Sequence, residues 1–136
     1  MKLSFLGVEQ DVEKNINLAE VAKVFNREDA LAVSVDGRIR ELSYKLDHDA
    51  KIDFITRKDH DGMRIYEATI RYVFAYAAYR INKDLKIRFS YSVSRALLAT
   101  IESEEMTPDL YAQITNEVTK IIGEALDIKR VSVSKE

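Results

Sequence analysis

The spacing of apolar positions along this chain changes several times, and each change marks an element. KLSF (2–5) alternates like a short strand. The more polar stretch 8–14 can return as the second arm of a hairpin, with Gly7 near its turn. NLAEVAKVF then takes up helical spacing, with Leu18, Val21, Ala22 and Phe25 on one face. Asn17 is placed as the N-cap, and Glu20 completes a capping-box-like pattern. In ALAVSVDGRIRELS, Leu31, Val33 and Val35 alternate with Ala32 and Ser34, and Asp36-Gly37 supplies the two positive-φ residues of a type I′ turn before Ile39 resumes the strand. KIDFIT (51–56) alternates again, with Ile52, Phe54 and Thr56 opposite Lys51, Asp53 and Ile55. The first 56 residues therefore read β-β-α-β-β-β, one amphipathic helix over a mixed sheet, as in a β-grasp arrangement.

RKDHDG (57–62) is charged, lacks apolar residues and ends in glycine, which makes it the expected boundary between domains 1–58 and 59–136. A long helix is predicted over 63–80. Its richest stretch, YEATIRYVFAYAAYRI, is apolar nearly all round, so burial between a sheet and a second surface is expected. Leu85, Ile87, Phe89 and Tyr91 then alternate with Lys86, Arg88, Ser90 and Ser92, and 96–102 can return as the antiparallel partner. Thr107-Pro108-Asp109 combines an N-cap, a proline at the first helical position and a first-turn acid. Leu110, Ile114, Val118, Ile121, Ile122 and Ala125 form the stripe of the helix that follows, with Leu126 beside it. IKRVSVSK (128–135) alternates as a last strand. The second half thus reads α-β-β-α-β, an α+β chain overall, and its end on a strand-like segment suggests a piece of a longer protein.

Composition narrows the chemistry more than the fold. The 136 residues allow one domain or two small ones, and 46% apolar content suffices for a core. A net charge of -2 supplies no global field toward nucleic acid or an anionic membrane, although a local basic patch stays open. The absence of cysteine excludes disulfides, thiolate nucleophiles and cysteine zinc sites. MKLSFLGVEQ lacks the apolar region of a signal peptide, and no run of about eighteen apolar residues occurs, so no membrane partner and a cytoplasmic location are expected. Neither GxxxxGK[ST] nor GxGxxG occurs, which excludes P-loop phosphoryl transfer by this chain as given.

The side chains that remain favour binding over catalysis. His48 and His60 lie in charged, loop-like surroundings without metal-ligand spacing, so neither a metal nor another cofactor is expected. No serine stands in GxSxG. Ser90, Ser92 and Ser94 read as a solvent face, and Glu102, Glu104 and Glu105 as a solvated turn. Arg57, Lys58, Arg64, Arg71, Arg80, Lys86 and Arg88 interleave with Tyr66, Tyr72, Tyr76 and Tyr79. That mixture suits an RNA-binding face, or tyrosines that pack beside solvated arginines. Arg64, Arg71 and Tyr72 are the candidate ligand- or RNA-binding residues. Arg71 can equally form an i,i+4 pair with Glu67.

NLAEVAKVF followed by LAVSVDGRIRELSYKLDHDAKIDFIT resembles the TGS domain, a β-grasp module of threonyl-tRNA synthetases, some GTPases and stringent-response enzymes. The rest resembles the second N-terminal domain of threonyl-tRNA synthetase, whose first helix carries an HxxxH motif used in editing. Laid on this sequence, those histidines fall at Ala68 and Tyr72, so the resemblance implies no editing activity here. DHDGMRIY (59–66) is similar to the junction in bacterial uridine-kinase-like nucleoside kinases, which carry the same two domains ahead of a P-loop kinase domain. MTPDLYAQI and KRVSVSKE follow in those proteins' order, while IRFSYSVSRALLATI lacks the glycine-rich turn common to both families. The resemblance implies a non-catalytic regulatory or binding module with a downstream kinase domain as partner and RNA or a nucleotide as ligand. The alternative is an RNA-binding module or degenerate editing domain of a threonyl-tRNA synthetase-like protein.

Overall fold

The computed structural model describes residues 1–91 and 96–135. It is α+β and divides into two compact units, Met1–Ala68 and Thr69–Glu136.

The first unit opens with β1 (Lys2–Phe5) and β2 (Val8–Asp11), an antiparallel hairpin in which Leu3 faces Gln10. Leu6 and Gly7 both have positive φ, 49° and 81°, so the turn is type I′. The second arm stops at Asp11, short of the expected 14. Two elements that the sequence pattern did not reveal follow the hairpin and recur later. They are the two-residue strands β3 (Ile16–Asn17) and β6 (Lys45–Leu46), which pair with each other. Two residues are too few to show a period.

Helix α1 (Leu18–Val24) begins as expected, the Asn17 side chain accepting from the Glu20 N–H at 2.9 Å. β4 (Ala32–Val35) and β5 (Arg38–Arg40) turn through Asp36 and Gly37, whose φ values of 48° and 82° match the expected type I′ geometry. β7 (Ala50–Ile55) then enters the middle of a five-stranded sheet ordered β2-β1-β7-β4-β5, parallel to β1 and antiparallel to β4. Leu3, Val33, Val35, Ile52 and Phe54 on one sheet face pack with Leu18, Val21 and Ala22 of α1 and with Leu46. Phe5 meets Phe25 and Phe54 edge to face, and Phe25 lies tilted on Phe54, with ring centroids 4.9–5.9 Å apart. Ile55, expected on the polar side of its strand, is also buried. With Phe54 buried too, the end of β7 is covered on both faces.

That end launches α2 (His60–Ile81). The Thr56 N–H donates to Asp59 Oδ2 at 2.7 Å, the Asp59 N–H returns to the Thr56 carbonyl at 3.0 Å, and the Met63 N–H reaches the Asp59 carbonyl at 3.0 Å. RKD (57–59) is therefore a hydrogen-bonded turn, HDG opens the helix, and the helix starts three residues before the expected Met63. His60, expected in a loop, is its first residue. Gly62 is buried there because any Cβ would land on the Thr56 carbonyl group.

In the second unit, β8 (Ile87–Tyr91) and β9 (Leu97–Ile101) pair antiparallel, and α3 (Pro108–Glu124) follows. Thr107 Oγ1 accepts from the Leu110 N–H at 3.2 Å, the expected cap. The core joins Ala77, Ala78, Leu85, Ile101, Ile114 and Ile121. Arg80 closes α2 onto α3 with two 3.1 Å bonds to Glu124 and a 3.3 Å ion pair to Glu117.

Three expectations fail in this unit. The stretch 66–81 is not buried all round: Ala77 and Ala78 are inside, while Tyr72 and Tyr79 are at least half exposed. Ile122 and Ala125, placed in the buried stripe of α3, face outward, and Ile122 is 66% exposed. Segment 128–135 forms no strand, and its Val131 and Val133 are exposed. The first two have one physical cause. A two-stranded sheet presents little apolar area, so it covers a narrower stripe of each helix than the sequence offers. Ser90 is exposed as expected; Ser92 and Ser94 lie outside the described residues.

Two outcomes follow from these contacts. Gly62→Ala forces Thr56 and the start of α2 apart and destabilises the first unit by about 3 kcal/mol or more. Gly123→Ala, a helical site with open space around its Cβ, instead stabilises the second unit by about 0.5–1 kcal/mol. Hydrogen-exchange protection read unit by unit checks both; equal effects would refute the contrast.

A third outcome concerns the β4–β5 turn. Asp36 Oδ1 accepts from the Lys51 N–H at 2.9 Å, and His48 places Nε2 3.7 Å from Asp36 Oδ2 and Nδ1 2.9 Å from Asp47 Oδ1. The Asp47 hydrogen bond, then the charges of Asp47 and Asp36, raise the His48 pKa above its ordinary 6.5, and His48 lowers that of Asp47 below 3.8. The His48 contribution to stability is full below 6.5 and disappears as pH rises through the raised value. The Asp47 contribution is present above 3.8 and disappears as pH falls through the lowered one. An NMR titration should place the His48 midpoint above 6.5, and Asp47→Asn should bring it down. A midpoint at or below 6.5 in the native chain contradicts the contact.

Candidate binding surfaces

The candidate residues of α2 fall in different surroundings. Arg64 is exposed and belongs to the first unit. Near it in sequence, the Arg57 guanidinium lies 5.1 Å from the centre of the half-exposed Tyr66 ring, a cation–π pair held by the turn at Thr56. Asp29, Leu31, Thr56, Arg57, Lys58, Met63 and Tyr66 line a shallow hollow of about 490 Å³ beside it. Its two cations stand with the Asp29 carboxylate, an aromatic ring and a methionine, a mixed surface on which a planar group can stack.

Arg71 and Tyr72 belong to the second unit. Arg71 is half buried, and Tyr72 is 59% exposed. Tyr72, Thr69, Val73 and Tyr76 form one wall of an open cleft of about 670 Å³, and Ile121 and Ile122 of α3 and its cap residue Ala125 face them across it. Leu126, Asp127, Ile128 and Lys129 close one end. Arg71 does not line this cleft. The walls are largely apolar, with two phenol rings, the Lys129 ammonium and the Asp127 carboxylate at hand. Such a surface suits stacking and packing.

Sequence reasoning missed most of this cleft. The signal was present: Ile121 and Ile122 are adjacent, and no narrow buried stripe accommodates both. An excess of apolar residues around a helix marks either a wide core or an exposed groove, and only packing separates the two. A second cavity of about 330 Å³ lies among Ile70, Phe74, Ile87, Phe89, Leu97 and Ile114. Its lining carries no carboxylate, imidazole or amine, only the phenol of Tyr111.

Arg80 is committed to structure. Glu124 first, then the Glu117 charge, raise the pKa of Arg80, which serves the α2–α3 contact. Among the described residues, no group of three or more His, Asp or Glu side chains could hold a metal ion, and no helix is long and apolar enough to cross a membrane.

No family model matches the chain. It is 27% identical over 134 residues to a threonine–tRNA ligase of Clostridium kluyveri, covering 96% of this chain and 21% of that protein. It is 28% identical over 134 residues to the threonine–tRNA ligase of Caldanaerobacter subterraneus subsp. tengcongensis, with the same coverage. The threonine–tRNA ligase of Desulforamulus reducens is 32% identical over 121 residues, 86% of this chain and 19% of that protein. Nearly the whole of this chain is thus similar to threonine–tRNA ligases, and it spans about a fifth of the length of these curated relatives.

Proposed function

We propose that this chain is a non-catalytic RNA-binding module of the kind carried near the N-terminus of threonine–tRNA ligases. The carrying observation is similarity to those ligases over 96% of the chain. The strand order β2-β1-β7-β4-β5 with α1 packed on one face supports reading residues 1–58 as a TGS-like β-grasp domain. Residues 59–136 then correspond to the second N-terminal domain. Ala68 and Tyr72 stand where that domain's editing histidines would be, which supports binding without hydrolysis. RNA contacts are assigned unit by unit, to Arg64 in the first, with the Arg57–Tyr66 pair near it in sequence, and to Arg71 and Tyr72 in the second. A cytoplasmic location accompanies this reading.

A second reading keeps the same two domains but places them ahead of a nucleoside kinase, on the strength of DHDGMRIY. The ligase relatives lend it no support. A parent reading frame that continues into a P-loop kinase would favour it; one that continues into a synthetase core would favour the first.

Fluorescence anisotropy with a structured tRNA tests the first reading. Binding at about 50 mM salt should weaken steeply toward about 200 mM, as counterion release requires. Tyr72→Ala should cost about 1–3 kcal/mol by removing a stacking ring, and Arg64→Ala should reduce the salt slope by about one. No binding at the lower salt would reject an RNA module. Deacylation of mischarged tRNA that survives a chelator and substitution of His48 and His60 would reject the non-catalytic assignment.

A further inference from the structure

The sheet of the first unit has two open edges of opposite charge. At one edge, β2 reads Val8-Glu9-Gln10-Asp11 and is exposed along its whole length. At the other, β5 reads Arg38-Ile39-Arg40. Neither outer edge has a strand partner among the described residues. Each edge also exposes one large apolar side chain, Val8 at 54% and Ile39 at 48%. Open edges invite pairing with another chain, and proteins commonly block this with like charges. Like charges here block only like edges. β2 against β2 sets acids beside acids, and β5 against β5 sets arginines beside arginines.

We propose that this chain associates head to tail with copies of itself, β2 of one copy pairing with β5 of the next. The register specifies how. Leu3 pairs with Gln10 and Phe5 with Val8, so Val8 and Gln10 lie on the α1 side of the sheet and Glu9 and Asp11 on the other. Val33 pairs with Arg40 and Val35 with Arg38, so both arginines lie on the α1 side, and Ile39 on the other. Acids therefore meet arginines only when α1 alternates from one face to the other along the chain of copies. Strand directions within the sheet then make the joining β2–β5 pair parallel. In that register Gln10 or Val8 sits beside Ile39.

Asp11 is also held by the terminal amine of Met1 at 2.9 Å, and the Arg40 guanidinium stacks on Tyr44 at 4.8 Å. Glu9 and Arg38 are thus the pair to test. A joint of three or four residues buries well under about 1,200 Å², so each contact is weak and reversible. The contact is heterologous, and each step is a half-turn about the line of copies plus a translation, so the copies add as an open chain.

Sedimentation velocity of the full chain, from about 10 μM to about 1 mM, tests this in the concentration range that weak interfaces require. The average mass should rise with concentration at low salt and fall back when salt is added. Glu9→Lys and Arg38→Glu should each weaken association about three- to thirtyfold, because an exposed attraction becomes a repulsion. The double variant Glu9→Lys/Arg38→Glu should restore it. Both sites are exposed, and circular dichroism confirms that each variant folds. A native chain that stays monomeric at low salt overturns the proposal. So does a double variant no more associated than the single ones.

Discussion

The insertion of β7 between β1 and β4 is the constraint on which the first unit depends. The two hairpins on either side are local and cost little loop entropy. β7 must instead bring Ala50 back to Leu3, across nearly the whole unit. Only this step joins the hairpins into one sheet and completes the floor against which Leu18, Val21 and Ala22 pack. Its reward is concentrated in Ile52 and Phe54, which are almost fully buried. The same strand fixes two turns. Lys51 holds the Asp36 turn at one end, and Thr56 starts α2 at the other.

The second unit rests on a different balance. Two strands supply a narrow sheet, and its core depends on small residues, Ala77 and Ala78, that let α2 approach closely. Large apolar side chains are left over as a result. Tyr72, Ile122, Leu126 and Ile128 gather around an open cleft instead of a core. The Arg80–Glu117–Glu124 cluster holds the two helices at the far end of α2, where apolar area is scarce. An open cleft and a thin core are here two results of one shortage of sheet.

Much of the fold was legible because several signals were local. Asp36-Gly37 requires its turn whatever lies around it, and Asn17 and Thr107 need only the N–H groups of the next turn of chain. The misses were of another kind. β3 and β6 are too short to carry a period and exist through each other. The start of α2 at His60 depends on Asp59 folding back to Thr56, a turn hidden in a run of charges. Of the candidate residues, Tyr72 lines the cleft, but the wall opposite it comes from a helix some fifty residues later.

By itself, then, the sequence determined the order of the helices and longer strands, where the capped helices and the Asp36 turn begin, and that no familiar catalytic or metal motif is present. Those properties follow from backbone geometry and side-chain chemistry within a few residues. The tertiary structure decided which apolar residues are inside. Ile55 is buried although its strand pattern placed it outside, and Ile122 is exposed although its helix pattern placed it inside. Burial depends on how much surface a distant element brings, and periodicity within one segment carries no record of that area.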